Sequence, residues 1–293
     1  MNLIFEFYYC KNDIFSAKSD LKFRFLLSFV FLFIIIQAIT KMEFKNKVVL
    51  ITGAGSGIGR VTAHAFAKEG ATIVVSDINE KGGNETVEQI IAAEGQATFI
   101  KANVTIFSEV ENLVNSAINQ FGKIDIAINN AGIGGLPART SETPLETWDK
   151  VMAVNATGVF YCMKLQLQQM LKQGSGVIVN TASIAGLRAL PNNIPYVASK
   201  HAVVGMTKTA AMEYAQHNIR INALCPVFTV TPMFNPEMMD KISAGLSNKL
   251  KKGIPMKRFA DPIEMANTVL WLCSDKASFV TGHAMPVDGG LTA

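Results

Sequence analysis

Residues 42–293 predict one doubly wound α/β domain, and three observations carry that prediction. Seven short apolar, β-branched runs alternate with stretches whose apolar residues recur at helical spacing. The runs are almost continuously apolar, so each must be covered on both faces, which a parallel sheet between helices provides. The alternation persists over about 250 residues without a long linker or an internal repeat.

In order, strand Lys47–Ile51 (KVVLI) precedes a helix over Gly57–Glu69, and Thr72–Asp77 (TIVVSD) precedes Glu80–Glu94. Strand Thr98–Ala102 leads into Ser108–Phe121, and Ile124–Asn129 (IDIAIN) leads into one long helix over Trp148–Lys172. Strand Gly176–Ala182 (GVIVNTA) is followed by Tyr196–His217, and Arg220–Cys225 (RINALC) by Pro262–Ser274. His283–Val287 supplies the last strand.

Composition sets the outer bounds. With 293 residues, 49% of them hydrophobic and 17% charged, the chain can bury a sizeable core and is not disordered. A net charge of +4 is too small to argue for a nucleic-acid partner. The four cysteines (Cys10, Cys162, Cys225, Cys273) are far apart and form neither a CxxC nor a zinc spacing. They read as reduced, buried thiols and point to a reducing, cytoplasmic compartment. His64, His201, His217 and His283 show no ligand spacing, so no metal is expected.

Residues 1–41 differ from the rest. They hold 8 of the 18 phenylalanines and no glycine or proline. The apolar run from Phe25, extended to Ile39, spans 15 residues, about 22 Å as a helix at 1.5 Å per residue, against a hydrocarbon core of about 30 Å. Lys18, Lys22 and Arg24 precede it as in a signal peptide, but QAITK offers no A-x-A cleavage site. A signal-anchor through residues 25–39, a cleaved signal, and a segment outside the working protein are the competing readings. The last is favoured, because Met42 opens a second plausible start (MEFKNKVVLITG) directly before the first strand. A membrane partner is expected only if residues 1–41 are retained.

After the first strand comes Thr52-Gly53-Ala54-Gly55-Ser56-Gly57-Ile58-Gly59 and then a helix. Gly53 can take the tight turn, Gly57 can let backbone approach a pyrophosphate, and Gly59 can let the helix pack against the sheet. The helix N-terminus then presents free N–H groups to phosphate, with Ser56 and Ile58 beside it. Asp77 ends the second strand 18 residues after Gly59, where a carboxylate can accept from adenosine ribose hydroxyls and repel a 2′-phosphate. Neither Ser56 nor Ile78 supplies a cation there, so NAD is expected rather than NADP.

Tyr196 and Lys200, in Tyr196-Val197-Ala198-Ser199-Lys200, stand at i, i+4 on one helix face. Ser183 lies 13 residues before Tyr196 at the end of strand GVIVNTA, the end at which open α/β sheets bind ligands. An ordinary phenol has a pKa of about 10. An ammonium about 4 Å away is worth on the order of 4 kcal/mol at an effective dielectric of 20, enough to lower that value by about three units. Lys200 is therefore expected to bring Tyr196 toward neutrality, aided by the positive nicotinamide of NAD, while Ser183 holds the substrate oxygen.

These motifs together resemble the short-chain dehydrogenase/reductase family. The resemblance covers essentially all of 42–293 and none of 1–41. It rests on the Thr52–Gly59 turn, Asp77, Asn129-Asn130-Ala131-Gly132, Asn155, Ser183, and Tyr196 with Lys200. It implies a Rossmann-type sheet of about seven strands, hydride transfer between NAD and a secondary alcohol or ketone, and frequent homotetramers. It also implies that Lys200 holds the nicotinamide ribose and that Asn155 anchors a water relaying protons to Lys200; a structural amide is the competing reading for Asn155. Asn103-Val104 stands where the family has Asp-Val, and Asn103 is expected to accept from the adenine amine. Asn130, Ala131 and Gly132 are expected to back the cofactor, whereas Asn129 reads as structural. Pro226-Val227-Phe228-Thr229-Val230-Thr231 departs from the usual Pro-Gly-x-Ile/Val-x-Thr, with Val227 replacing glycine; Thr231 is expected to bond the carboxamide.

Residues 229–258 read as a lid, with Met233, Phe234, Met238 and Met239 as an apolar wall or as core packing. The basic run Lys249, Lys251, Lys252, Lys257 and Arg258 reads first as a solvated face and second as an attractor of anionic substrates. Two alternatives stand beside the dehydrogenase reading: an NADP-linked reductase of 3-oxoacyl thioesters, and a non-catalytic nucleotide-binding protein.

Overall fold

The computed structural model describes residues 42–293. The anchor and signal readings of residues 25–39 lie outside the described residues. Seven parallel strands form one sheet in the order β3-β2-β1-β4-β5-β6-β7. They are β1 (Val48–Thr52), β2 (Thr72–Asp77), β3 (Gln96–Lys101), β4 (Ile126–Asn129), β5 (Gly176–Thr181), β6 (Ile219–Pro226) and β7 (Ala284–Val287). The Rossmann-type architecture expected from the sequence is present. Strand order reverses between β1 and β4, which pair through Val49–Ile126 to Thr52–Asn129, and a crevice opens beyond their carboxyl ends.

Alternation along each strand feeds two cores. Val48, Leu50, Val74 and Ile178 face the core built with α3 (Phe107–Phe121), α5 (Gly158–Gln173) and α6 (Ile194–Tyr214). Val49, Ile51, Ile73 and Val179 face the core built with α1 (Gly57–Lys68), α2 (Glu80–Ala92) and α9 (Pro262–Cys273). Every residue of β1 is buried, and burying one such side chain contributes about 1.5–3 kcal/mol. Helices on both faces secure that gain.

The continuous helix expected over Trp148–Lys172 is interrupted. It begins earlier as α4 (Leu145–Met152), opens into a π turn over Ala153–Thr157, and resumes as α5. The extra residue in that turn re-aims the side chains it carries. At the turn, Asn155 exchanges hydrogen bonds with the backbone of Ile133: its Oδ1 accepts from N–H at 2.8 Å and its Nδ2 donates to the carbonyl at 2.9 Å. Between β6 and α9 the chain forms α7 (Pro236–Ile242) and α8 (Leu246–Gly253). Among the described residues no helix is long and apolar enough to cross a membrane.

Candidate active site

A cleft of about 1250 Å³ lies at the carboxyl end of the sheet, lined by residues at or just past the ends of β1 through β6. One end holds the glycine turn and Asp77, the other Ser183, Tyr196 and Lys200.

Gly57 adopts φ +54 at the start of α1, a conformation that favours glycine, and a Cβ there would sit 3.4 Å from the Thr231 Cβ. Thr231 thus lies against the turn, where its N–H donates to the Phe234 carbonyl at 3.1 Å. Ser56 makes no side-chain cap bond, so the first-turn amides remain available to an anion. Arg60, a residue absent from the sequence reading, fastens the turn from behind. Its guanidinium donates to the carbonyls of Gly55 and Gly82, to Glu85 and to the Thr86 hydroxyl. A cation in a helix's first turn opposes the helix dipole, a local oddity that could have flagged it.

Asp77 Oδ2 accepts from Gly55 N–H at 2.9 Å and Oδ1 from Asn79 N–H at 2.8 Å, which fixes the carboxylate at the cleft wall. Beside it, Ser76 Oγ is buried without a hydrogen-bond partner, and Ser76 also lines the cleft. An orphaned buried hydroxyl next to an oriented carboxylate fits a ligand that brings its own hydroxyls. The residues present therefore fit a dinucleotide.

Asn103 and Val104 line the cleft, but the role expected of Asn103 needs correction. Its Oδ1 already accepts from Thr105 N–H at 3.1 Å and Thr105 Oγ1 at 2.9 Å. The acceptor meant for the adenine amine is engaged within its own turn, leaving Nδ2 as the free group. Asn130, Ala131 and Gly132 form the middle of the wall. Asn130 Nδ2 donates to the carbonyls of Thr52 and Gly53, both at 3.1 Å, tying β4 to the glycine turn. Asn129 is buried and bonded to Gln166 and Asn180, a structural amide.

Two of the candidate site residues, Gly59 and Asn155, do not line the cleft. A Cβ on Gly59 would lie 2.2 Å from the Gly53 carbonyl oxygen, so its absence permits close packing and Gly59 does not line the cleft. Asn155 is fully buried and also does not line it. Its Nδ2 donates to Ser199 Oγ at 3.2 Å, and Ser199 Oγ donates to the Tyr196 carbonyl at 2.8 Å. Asn155 therefore braces the start of α6, the segment that presents the phenol.

Ser183 caps a short 3₁₀ turn, its Oγ accepting from Ala185 N–H at 3.1 Å, so its proton is free to be donated elsewhere. Lys200 is buried, and its Nζ donates to the Thr181 carbonyl at 2.8 Å. The ammonium stands 5.5 Å from the Tyr196 ring centroid. Burial lowers the Lys200 pKa to about 8, partly offset by Cys225 beneath it, whose own thiol burial pushes up to about 11. Lys200 by itself does not draw the phenol toward neutrality. Desolvation raises the Tyr196 pKa above its ordinary value, and the hydrogen bond with Ser183 only partly counters it. The physical reason is that a low-dielectric wall penalises both charged forms at once.

Val227 replaces the expected glycine without strain, since it is not among the positive-φ residues. It packs in the core cluster that includes Ile184 and Leu224 and also lines the cleft. Of the basic run, Lys249 lines the cleft, Lys251 lies 5.8 Å from the Phe259 ring centroid, and Arg258 pairs with Glu264.

A family model described as enoyl-(acyl carrier protein) reductase matches residues 53–292. Cyclohexanol dehydrogenase of Acinetobacter sp. (strain SE19) is 43% identical over 257 residues, covering 88% of this chain and 99% of that protein. A 3-oxoacyl-[acyl-carrier-protein] reductase of Thermotoga maritima is 40% identical over 252 residues, covering 85% of this chain and 99% of the relative. The solved structure of an NAD+-bound xylitol dehydrogenase superposes with a TM-score of 0.81 at 34% identity, over 85% of this chain and 100% of that one. An actinorhodin polyketide ketoreductase with NADPH gives 0.80 at 36% identity, over 84% and 97%. With the sheet order, the glycine turn and the Ser183, Tyr196 and Lys200 cleft in place, these likenesses show that the chain belongs to the short-chain dehydrogenase/reductase family of oxidoreductases.

Proposed function

We propose that this protein is an NAD(H)-dependent oxidoreductase that moves a hydride between the nicotinamide and a secondary alcohol or ketone, with Tyr196 as acid and base. One observation carries the reading: Ser183, Tyr196 and Lys200 line the same cleft as the glycine turn and Asp77. The bound nicotinamide supplies the hydride acceptor or donor. Ser183 Oγ donates to the substrate oxygen and holds it beside Tyr196. Tyr196 Oη takes the hydroxyl proton as an alcohol is oxidised and returns it as a ketone is reduced. Lys200, with one donor spent on Thr181, keeps two for the ribose hydroxyls and the phenolate. Asn155 positions Tyr196 through Ser199, with the proton-relay water as its further proposed role.

NAD is favoured by the fixed carboxylate of Asp77 and by the occupation of the nearby cations. Arg60 is spent on the glycine turn, and Lys101 pairs with Glu80 at 3.3 Å. Asp77→Ala is expected to lower kcat/KM for NADH about ten-fold or more while gaining with NADPH; an unmutated enzyme that prefers NADPH overturns this assignment. The NADP-linked reductase of 3-oxoacyl thioesters remains the second reading, supported by the 40% identical Thermotoga relative. Tyr196→Phe is expected to cut turnover by a factor of 100 or more while NAD binding persists. Retained turnover defeats the mechanism, and an unmutated protein that binds NAD but turns over no alcohol would make it a non-catalytic binder. A cytoplasmic homotetramer built from residues 42–293 completes the proposal, and light scattering of the purified protein checks the assembly.

A further inference from the structure

The described body of the protein is nearly neutral, yet its cleft is not. Asp77 is the single acidic side chain lining it, at the adenosine end, against Lys150, Arg188, Lys200 and Lys249. Arg188 follows Ser183 by five residues and is exposed; its Nη1 donates to the carbonyl of Leu291, another cleft residue, at a long 3.5 Å. Lys249 stands on α8, exposed and facing the same opening. Among the described residues neither is in an ion pair. The same cleft is lined by Phe228 and Phe234, whose ring centroids stand 5.1 Å apart, and Phe234 packs on Phe259, outside the lining, at 5.0 Å. A solvated face would mix both signs of charge, whereas this rim carries one sign around an apolar chamber.

We propose that Arg188 and Lys249 form an anion-recognition rim at the substrate end of the cleft, so that preferred alcohols and ketones join an apolar body to a negatively charged substituent. The inference rests on the dehydrogenase reading above and deepens it. A carboxylate on the substrate and the phosphates of a thioester carrier arm offer the same chemistry to these cations. Exposure limits the effect, since a screened pair contributes modestly and loses strength with salt.

The test compares two matched pairs of ketones: 4-oxocyclohexanecarboxylate with its methyl ester, and acetoacetyl-coenzyme A with acetoacetyl-pantetheine. The charged member of one pair is expected to show about ten-fold higher kcat/KM, expressed in KM and shrinking with added salt. The pair that responds identifies the source of the anion. Arg188→Ala and Lys249→Ala should each remove roughly three-fold of that preference and leave the neutral member unchanged. Arg188→Lys and Lys249→Arg should preserve it, as should Lys252→Ala on the same helix. No preference in either pair overturns the rim, as does a preference that survives in the double alanine variant. Variants that raise KM for NADH instead of the ketone also overturn it, assigning the cations to the cofactor. The same pairs are titrated into NAD+-loaded protein. Charged preference in binding without any turnover would sink the dehydrogenase reading and keep the rim; turnover without preference would do the reverse.

Discussion

At Lys200, burial and the proposed role oppose each other. The ammonium must keep its charge beside Tyr196, yet the surrounding protein excludes water from it and lowers its pKa from 10.5 to about 8. Because the folded value lies below the unfolded one, the unfolded chain binds the extra proton between about pH 8 and 10.5. Lys200 alone therefore contributes stability that grows with pH across that window, by on the order of 3 kcal/mol, against the buried thiols of Cys162, Cys225 and Cys273, whose raised values make stability fall above about pH 9. Chemical denaturation of the unmutated protein and Lys200→Met at several pH values checks it: the stability of the unmutated protein relative to the variant should rise across the window by that amount. The pairing of Tyr196 with Lys200 was legible in the chain because i, i+4 spacing on a helix is a local property. The direction of the Tyr196 shift was not, since it depends on how much water three separate elements exclude. Likewise Asn103 showed its residue type but not that Thr105 had claimed its carbonyl oxygen.

Among the elements, the strands were the most legible. β2 matches its expected bounds, and the others shift by one or two residues at their ends, because β-branched runs buried on both faces leave little choice of conformation. The helix over 148–172 was legible as apolar periodicity, but its π turn was not, because Asn155 is drawn out of register by the Ile133 backbone, 22 residues away. The start of α9 shows a different balance. Asp261 and Glu264 form a capping box, and Arg258 bonds Glu264 at 2.7 and 2.6 Å, holding its carboxyl at about 2, far below the usual 4.5. That depressed value means the pair stabilises the fold above about pH 4.5 and loses its contribution as pH falls toward 2. Glu264→Gln should lower Tm by no more than a few degrees at pH 7, because the pair is largely exposed, and its deficit should vanish near pH 2. Thermal melts of both proteins at the two pH values decide it.

For the whole molecule, the contacts of Glu43–Ala293 make a compact unit of their own, and the family match falls inside it. A chain beginning at Met42 should therefore fold, bind NAD and turn over substrate with kcat/KM within about two-fold of the full chain; loss of folding would assign residues 1–41 a structural role. Mass spectrometry of the native protein addresses the start directly, since a peptide from residues 1–41 would refute synthesis from Met42. The sequence by itself determined the sheet-and-helix rhythm, the glycine turn, the acid at the end of β2 and the set of Ser183, Tyr196 and Lys200. Each of these is written in short-range spacing, hydrophobic period or residue chemistry. Only the tertiary structure decided that Asn155 supports the wall from behind, that burial sets the Tyr196 and Lys200 values, and that Arg188 and Lys249 line one cleft. Those facts join residues far apart in the chain, and nothing local in a sequence measures the water or the charge that folding places between them.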